Sequence, residues 1–198
     1  MQCSNVFTAP PNIVAQAWAL RSAIASSSVQ ADESGWNPSS EGAQRFTLRS
    51  PAKTDAEPSA RQDGVFILLV EDNLGDAGLI REALEEHRVE GELLVVTDGE
   101  KAIEFIQAID TQALECPDLV IIDLNLPKRP GRDVLEQLRR SEKCHLLPVV
   151  VLSSSGAMKD RADAARLGAT RYLQKPLRLK EFLDLGAVFK EALRNPLG

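Results

Sequence analysis

Five short apolar runs, each followed by a segment with helical spacing, constrain the fold of this chain more than any other feature. The runs span residues 65–70, 93–96, 119–123, 149–152 and 171–173. Short aliphatic runs bounded by turn residues are typical of strands that are covered on both faces. The helical patterns span residues 74–87, 100–109, 132–140, 158–167 and 179–193. This alternation predicts an α/β domain with one doubly wound parallel sheet and helices on both faces.

Charge and cysteine content narrow the classes of function. The net charge is −6, which argues against direct nucleic-acid binding. No apolar run approaches the roughly 18 residues of a membrane span, so we expect no membrane partner. Cys3, Cys116 and Cys144 are widely spaced and form no CxxC motif. This spacing predicts neither a disulfide framework nor a zinc site, and it is consistent with the reducing cytoplasm.

Residues 1–63 differ from the rest of the chain. They are rich in serine and proline and show no strand pattern, so we expect a disordered extension. Only residues 12–24 have helical spacing. They do not form a signal peptide, because no basic residue precedes them and Arg21 interrupts their apolar core. The alternative is a start site that has been assigned too far upstream.

Polar side chains follow four of the five predicted strands. Glu71 and Asp72 follow the first strand, Asp123 the third, Ser153 the fourth and Lys175 the fifth. Because the carboxyl ends of parallel strands share one edge of the sheet, we expect these residues to converge. Each has a plainer explanation when taken alone; for example, Asp123 could cap the next turn.

The chemistry of this set indicates phosphoryl transfer. Clustered carboxylates raise one another's pKa unless a cation lies among them, and ligands that are all oxygen favour Mg²⁺. A carboxylate beside Mg²⁺ can attack a phosphoryl group. We therefore predict Asp123 as the acceptor and Glu71 and Asp72 as metal ligands. Ser153 and Lys175 would then donate hydrogen bonds to the bound phosphoryl group.

Four sequence segments resemble the receiver domain of two-component response regulators. They are ILLVEDN (67–73), VIIDLNLPKRPGRDVLEQLR (120–139), PVVVLSSS (148–155) and RYLQKPL (171–177). The sequences of residues 71–80 and 123–135 are similar to those of small stand-alone regulators that pair with bacterial phytochrome-type histidine kinases. The resemblance covers about residues 65–193 and assigns 64–198 to a receiver domain.

This resemblance implies a flavodoxin-like five-stranded parallel sheet, with strand order 2-1-3-4-5. It implies that a sensor histidine kinase transfers a phosphoryl group to Asp123, and that the chain catalyses only its own phosphorylation and dephosphorylation. The cofactor is then Mg²⁺, held by Glu71, Asp72, Asp123 and the backbone carbonyl of Asn125.

The resemblance also implies a conformational switch. Ser153 and Tyr172 match the family's switch pair, and the peptide between Lys175 and Pro176 is similar to the family's cis bond. Phosphorylation would repack the surface formed by the fourth helix, the fifth strand and the last helix. The last helix carries Leu185 on a second apolar side, which predicts either a homodimer surface or simply a wide face towards the core.

The sequence departs from the family pattern at two positions. Serine stands at 153 where threonine is commoner, and Pro130 stands where an acid usually precedes Gly131.

Three other functions are the alternatives to this interpretation. An aspartate-nucleophile phosphatase would need a second acid at position 125, where this chain has asparagine. A nucleotide-binding module would need a glycine-rich loop at 71–76. The third alternative is an interaction module with the same fold that acts without phosphorylation.

Overall fold

The computed structural model describes residues 43–48, 64–112 and 114–195 of the chain. The strands within them are β1 (Ala43–Leu48), β2 (Val65–Val70), β3 (Gly91–Val96), β4 (Leu119–Asp123), β5 (Val149–Ser153) and β6 (Arg171–Gln174). The helices are α1 (Leu74–Glu86), α2 (Gly99–Gln112), α3 (Gly131–Arg140), α4 (Met158–Arg166), α5 (Leu179–Leu183) and α6 (Leu185–Arg194).

The described strands form one sheet with the order β1-β3-β2-β4-β5-β6. The five predicted strands are β2 to β6, and all their pairings are parallel. Their spatial order is the predicted 2-1-3-4-5, so the doubly wound fold is confirmed. Every residue of β4 and β5 is buried, because helices cover both faces of the sheet.

Each face of the sheet has its own apolar core. On one face, α2 and α3 contribute Ile106 and Leu135, both fully buried. On the other face, α1 and α6 contribute Ile80 and Phe189, also fully buried. The prediction of helices on both faces is therefore confirmed.

Strand β1 corrects the prediction for part of the N-terminal segment. It pairs antiparallel with β3 along its whole length, and Leu48 is only 2% exposed. Arg45 forms an ion pair with Glu92 on β3 at 3.2 Å, and the Arg81 guanidinium lies 5.0 Å from the Phe46 ring centroid. An edge strand pairs on one side only and need not be continuously apolar, which is why residues 43–48 show no strand pattern in the sequence.

The remainder of residues 1–63 lies outside the described residues, including the predicted helix at 12–24. The assignment of that remainder to a disordered extension stays a prediction.

The predicted last helix is two helices. Helix α5 ends at Leu183 and α6 begins at Leu185, with Asp184 between them. The break allows α6 to approach α1 so closely that Gly186 contacts the Ala83 carbonyl, where a side chain would clash. Leu185 is 8% exposed and packs in the core. The core-facing interpretation therefore holds for Leu185, which forms no part of a free dimer surface.

Cys116 and Cys144 form a disulfide, with their Cα atoms 5.8 Å apart. The expectation of no disulfide was wrong. The two residues are 28 positions apart, but they precede the neighbouring strands β4 and β5. The parallel sheet brings the starts of these strands together, and cysteine spacing alone could not reveal this. Cys3 lies outside the described residues.

Two further findings bear on the predictions. Among the described residues, all peptide bonds are trans, including the one before Pro176, so the expected cis bond is not found. None of the helices in the described ranges combines the length and the apolar character that a membrane crossing requires.

Candidate functional site

Three carboxylates meet at the carboxyl edge of the sheet. Val70 of β2 pairs with Ile122 of β4, so the residues that follow them, Glu71 and Asp123, emerge side by side. Together with Asp72 they offer oxygen atoms that all lie within 4.8 Å of one another. Glu71 and Asp123 are buried, at 1% and 5% exposed, whereas Asp72 is open to solvent. The cluster thus has a buried floor and one accessible side.

Lys175 extends from the end of β6 into this cluster. Its backbone N–H donates to the Ser153 carbonyl at 2.8 Å, which holds the two strand ends together. Its Nζ donates to Asp123 Oδ2 at 2.7 Å, to Glu71 Oε2 at 2.8 Å and to Asp76 Oδ2 at 2.8 Å. An ammonium group has three N–H donors, so each of these carboxylates receives one of them.

Asp76 is the site residue that the sequence reasoning missed. An acid in the first turn of a helix is favoured by the helix dipole, and nothing in the sequence pattern links Asp76 to the ends of the strands. In the structure, the Asn73 side chain accepts hydrogen bonds from the backbone N–H groups of Gly75 and Asp76. This cap begins α1 directly at the sheet edge, and Asp76 therefore reaches Lys175. Asparagine is a preferred residue at a helix start, so the sequence could have indicated the Asn73 cap. The sequence could not indicate the distance between Asp76 and Lys175.

Burial, hydrogen bonds and charge together shift two pKa values in the cluster. Burial raises the pKa of Glu71 to about 7, although the hydrogen bond and charge of Lys175 oppose this rise. Burial would lower the pKa of Lys175, but hydrogen bonds to Asp123, Asp76 and Glu71 outweigh it and raise this pKa above its ordinary value. One ammonium among four carboxylates leaves the site strongly negative. The oxygen-only donor set therefore fits a hard divalent cation such as Mg²⁺.

The loop after β4 is fixed at both ends. The Asn125 backbone N–H donates to Asp123 Oδ1 at 2.9 Å, which orients the carboxylate. Gly131 lies so close to the Asp123 carbonyl that a side chain there would clash. Between them, Lys128 has a φ of +62°, and its Nζ bonds the buried Asp98 at 3.1 Å. The loop that carries Asn125 is thus tied to the end of β3.

Asp98 is itself held as a carboxylate. Its burial would raise its pKa, but hydrogen bonds from the Lys101 backbone and the Lys128 ammonium outweigh burial and lower the pKa. The charge on Asp98 therefore persists at neutral pH and anchors the loop after β4.

Ser153 and Tyr172 are connected through one residue, Ser155. The buried Ser153 hydroxyl accepts a hydrogen bond from the Ser155 N–H at 3.2 Å, and the Ser155 carbonyl accepts one from the Tyr172 hydroxyl at 2.8 Å. The Ser155 side chain donates to Asp160 on α4. The guanidinium of Arg161 lies 5.5 Å from the Tyr172 ring centroid. A shift of the Ser153 hydroxyl would therefore disturb the surroundings of Tyr172.

The fold and this edge together define a receiver domain. The family model described as "Response regulator receiver domain" matches residues 67–185. The chain belongs to this family, whose members are signalling proteins of two-component systems rather than conventional enzymes.

Two curated relatives resemble the chain over most of their length. The probable methanogenesis regulatory protein FilR2 of Methanothrix harundinacea is 37% identical over 137 residues, which is 69% of this chain and 86% of FilR2. The response regulator Rcp1 of Synechocystis is 35% identical over 120 residues, which is 60% of this chain and 82% of Rcp1.

Two solved structures are also similar. The phosphorylated cyanobacterial phytochrome response regulator RcpA has a TM-score of 0.61 and 33% identity, and the match covers 67% of this chain and 96% of RcpA. Mn²⁺-bound Rcp1 has a TM-score of 0.58 and 33% identity, and the match covers 64% of this chain and 92% of Rcp1. The chain is thus a response regulator that is similar to the phytochrome response regulator RcpA.

Proposed function

We propose that Asp123 accepts a phosphoryl group from a phosphohistidine of a sensor kinase. One Asp123 oxygen attacks phosphorus, the bond between nitrogen and phosphorus breaks, and an acyl phosphate forms. The observation that carries the proposal is the position of Asp123. It is a nearly buried carboxylate at a strand end, its Oδ2 is 2.7 Å from the Lys175 ammonium, and two further acids lie within metal-binding reach.

In this proposal Glu71, Asp72, Asp123 and the Asn125 backbone carbonyl hold Mg²⁺. When bound, the ion neutralises charge on the incoming phosphoryl group, which brings about two negative charges. The negative donor set described above supports this assignment, and so does the Mn²⁺ bound by the relative Rcp1. Asn125 N–H meanwhile keeps the Asp123 carboxylate oriented through the bond to Oδ1.

Ser153 and Lys175 hold the phosphoryl group once it is formed. Ser153 turns its hydroxyl towards a phosphoryl oxygen and ceases to accept the bond from Ser155 N–H. The Ser155 loop then shifts, and Tyr172 and the face formed by α4, β6, α5 and α6 repack. The hydrogen bonds that link Ser153, Ser155 and Tyr172 support this route.

The partner in this proposal is a histidine kinase of the phytochrome type, because the chain is similar to the phytochrome response regulator RcpA. In this proposal the transfer takes place in the cytoplasm, although the Cys116–Cys144 disulfide is unlike the reduced cysteines that this compartment favours. The output is contact with another protein rather than with nucleic acid, which is consistent with the net charge of −6.

The test is phosphorylation by a small donor. The full chain is incubated with Mg²⁺ and acetyl phosphate, and the intact protein is weighed by mass spectrometry. We expect one added phosphoryl group, lost in alkali, that depends on Mg²⁺ and is absent from Asp123→Asn. Steady release of phosphate from varied esters without a stable adduct would indicate a phosphatase and would overturn the proposal.

A further inference from the structure

Asp76 differs from the other two carboxylates that bond Lys175. It lies in the first turn of α1, its side chain is 24% exposed, and it stands outside the group of three acids that could share a metal ion. Neither the family match nor the sequence pattern gives it a role. Its bond to Lys175, at 2.8 Å, is nevertheless as short as the one from Glu71.

The three hydrogen bonds of Lys175 make Asp76 a competitor for the position and the charge of the ammonium. In the structure, all three of its N–H donors are in use. A divalent cation would draw Glu71 and Asp123 towards itself and free two of these donors, but it offers nothing to Asp76. Asp76 would therefore keep its bond to Lys175 and draw the ammonium away from a phosphoryl group on Asp123.

Charge acts in the same direction. A phosphoryl group carries about two negative charges, and the Asp76 carboxylate, which contacts the same ammonium at 2.8 Å, would repel it. The Lys175 side chain is only 10% exposed, so water and salt screen this repulsion less than they would at an open surface.

We propose that Asp76 is a positioning residue for Lys175 and that its carboxylate competes with the phosphoryl group for the lysine's ammonium. Asp76 thereby stabilises the unphosphorylated site and lowers the affinity of the site for a phosphoryl group. This inference rests on the proposed function and adds a means by which the same site limits its phosphorylated state.

The test compares two ligands in the full chain carrying Asp76→Asn, which keeps the size of the side chain and removes its charge. At saturating Mg²⁺, beryllium fluoride serves as a phosphoryl mimic, and its dissociation constant is measured by calorimetry. We expect about fivefold tighter binding, as for a charge removed beside a partly shielded ion pair. Without beryllium fluoride, Mg²⁺ should bind Asp76→Asn more weakly than the unmodified chain, because the site has lost one negative charge. The amide NMR signals of the site, followed during a Mg²⁺ titration, measure this change.

The opposite directions of the two changes separate a positioning role from a structural one, because damage to the fold would weaken both ligands. Asp133→Asn is the matched control. It removes the same charge from the first turn of another helix at this edge, where Asp133 pairs with Arg129 at 3.7 Å and not with Lys175. Asp76→Glu keeps the charge and is a second control. The dissociation constants of Asp133→Asn and Asp76→Glu for beryllium fluoride should lie within about twofold of that of the unmodified chain.

Two results would overturn the inference while leaving the proposed function intact. One is unchanged or weaker beryllium fluoride binding by Asp76→Asn, and the other is equally tightened binding by Asp133→Asn. Failure of the unmodified chain to bind beryllium fluoride with Mg²⁺ would instead overturn the proposed function, and this inference with it.

Discussion

At the scale of single residues, the site is a balance of burial against charge. Glu71 is almost fully buried beside Lys175, and Asp123 shares the same ammonium. Removing a carboxylate from water favours its neutral form, whereas a nearby cation favours its charged form. At Glu71 burial has the larger effect, so its carboxyl group binds a proton more readily near neutral pH than an ordinary glutamate does.

This balance predicts how stability depends on pH without divalent cations. The pKa of Glu71 is about 7 in the folded state against 4.5 for an ordinary glutamate, so the folded chain keeps a proton that the unfolded chain releases. The free energy of unfolding should therefore fall as the pH rises from about 4.5 to about 7. The fall amounts to up to ~1.4 kcal/mol for each unit by which the folded-state pKa exceeds the unfolded one. Urea unfolding at several pH values measures this change.

Glu71→Gln should remove that fall, because the amide does not titrate. Glu100→Gln, which changes an exposed acid on α2, is the control and should leave the fall in place. An equal pH dependence in Glu71→Gln and the unmodified chain would show that another group is responsible.

At the scale of elements, two segments outside the acidic cluster have roles that can be tested. Strand β1 extends the sheet beyond the residues that the family model matches, which begin at residue 67. The segment from Ser153 to α4 connects the site to Tyr172 through Ser155. The first segment bears on stability, and the second bears on the proposed switch.

For β1, we predict that Leu48→Ala destabilises the chain. Leu48 is 2% exposed and packs against the core that α1 and α6 form, so the loss should be roughly 2–4 kcal/mol. The neighbouring Thr47 is exposed, and Thr47→Ala should cost far less. Urea unfolding compares the two. Equal and small losses would mean that β1 does not belong to the folded domain.

For the switch, the single tyrosine of the chain offers a direct probe. Fluorotyrosine incorporated at Tyr172 should give one ¹⁹F signal that moves when Mg²⁺ and beryllium fluoride are added. Ser153→Ala should abolish this movement while beryllium fluoride still binds, because the hydroxyl that passes the change to Ser155 is gone. Ser154→Ala, at an exposed neighbouring position, is the control. Movement that persists in Ser153→Ala would contradict the route through Ser155.

At the scale of the whole molecule, the sequence predicted what depends on chain order and missed what depends on distance. The five buried strands have continuous aliphatic runs, and the parallel order follows from their alternation with helices. Glu71, Asp123 and Lys175 could be placed at one edge because each directly follows a strand. Asp76 could not be linked to Lys175, because the contact joins positions 99 residues apart through the angle at which α1 leaves the sheet.

The remaining misses have the same origin. Strand β1 has mixed polarity and takes its shape from pairing with β3, and the disulfide of Cys116 depends on the neighbouring starts of β4 and β5. The break at Asp184 accompanies the close packing of α6 against α1. None of these contacts leaves a periodic pattern in the sequence.

Chemical trapping can identify the residue that carries the phosphoryl group. The chain is treated with Mg²⁺ and acetyl phosphate and then with sodium borohydride, which reduces an aspartyl phosphate to homoserine. Peptide sequencing by mass spectrometry then locates the change. If Asp123 is the phosphoryl acceptor, homoserine will be found at position 123 and at no other aspartate. Homoserine at Asp72 or Asp76, or a chain that stays unmodified, would show that Asp123 is not the acceptor.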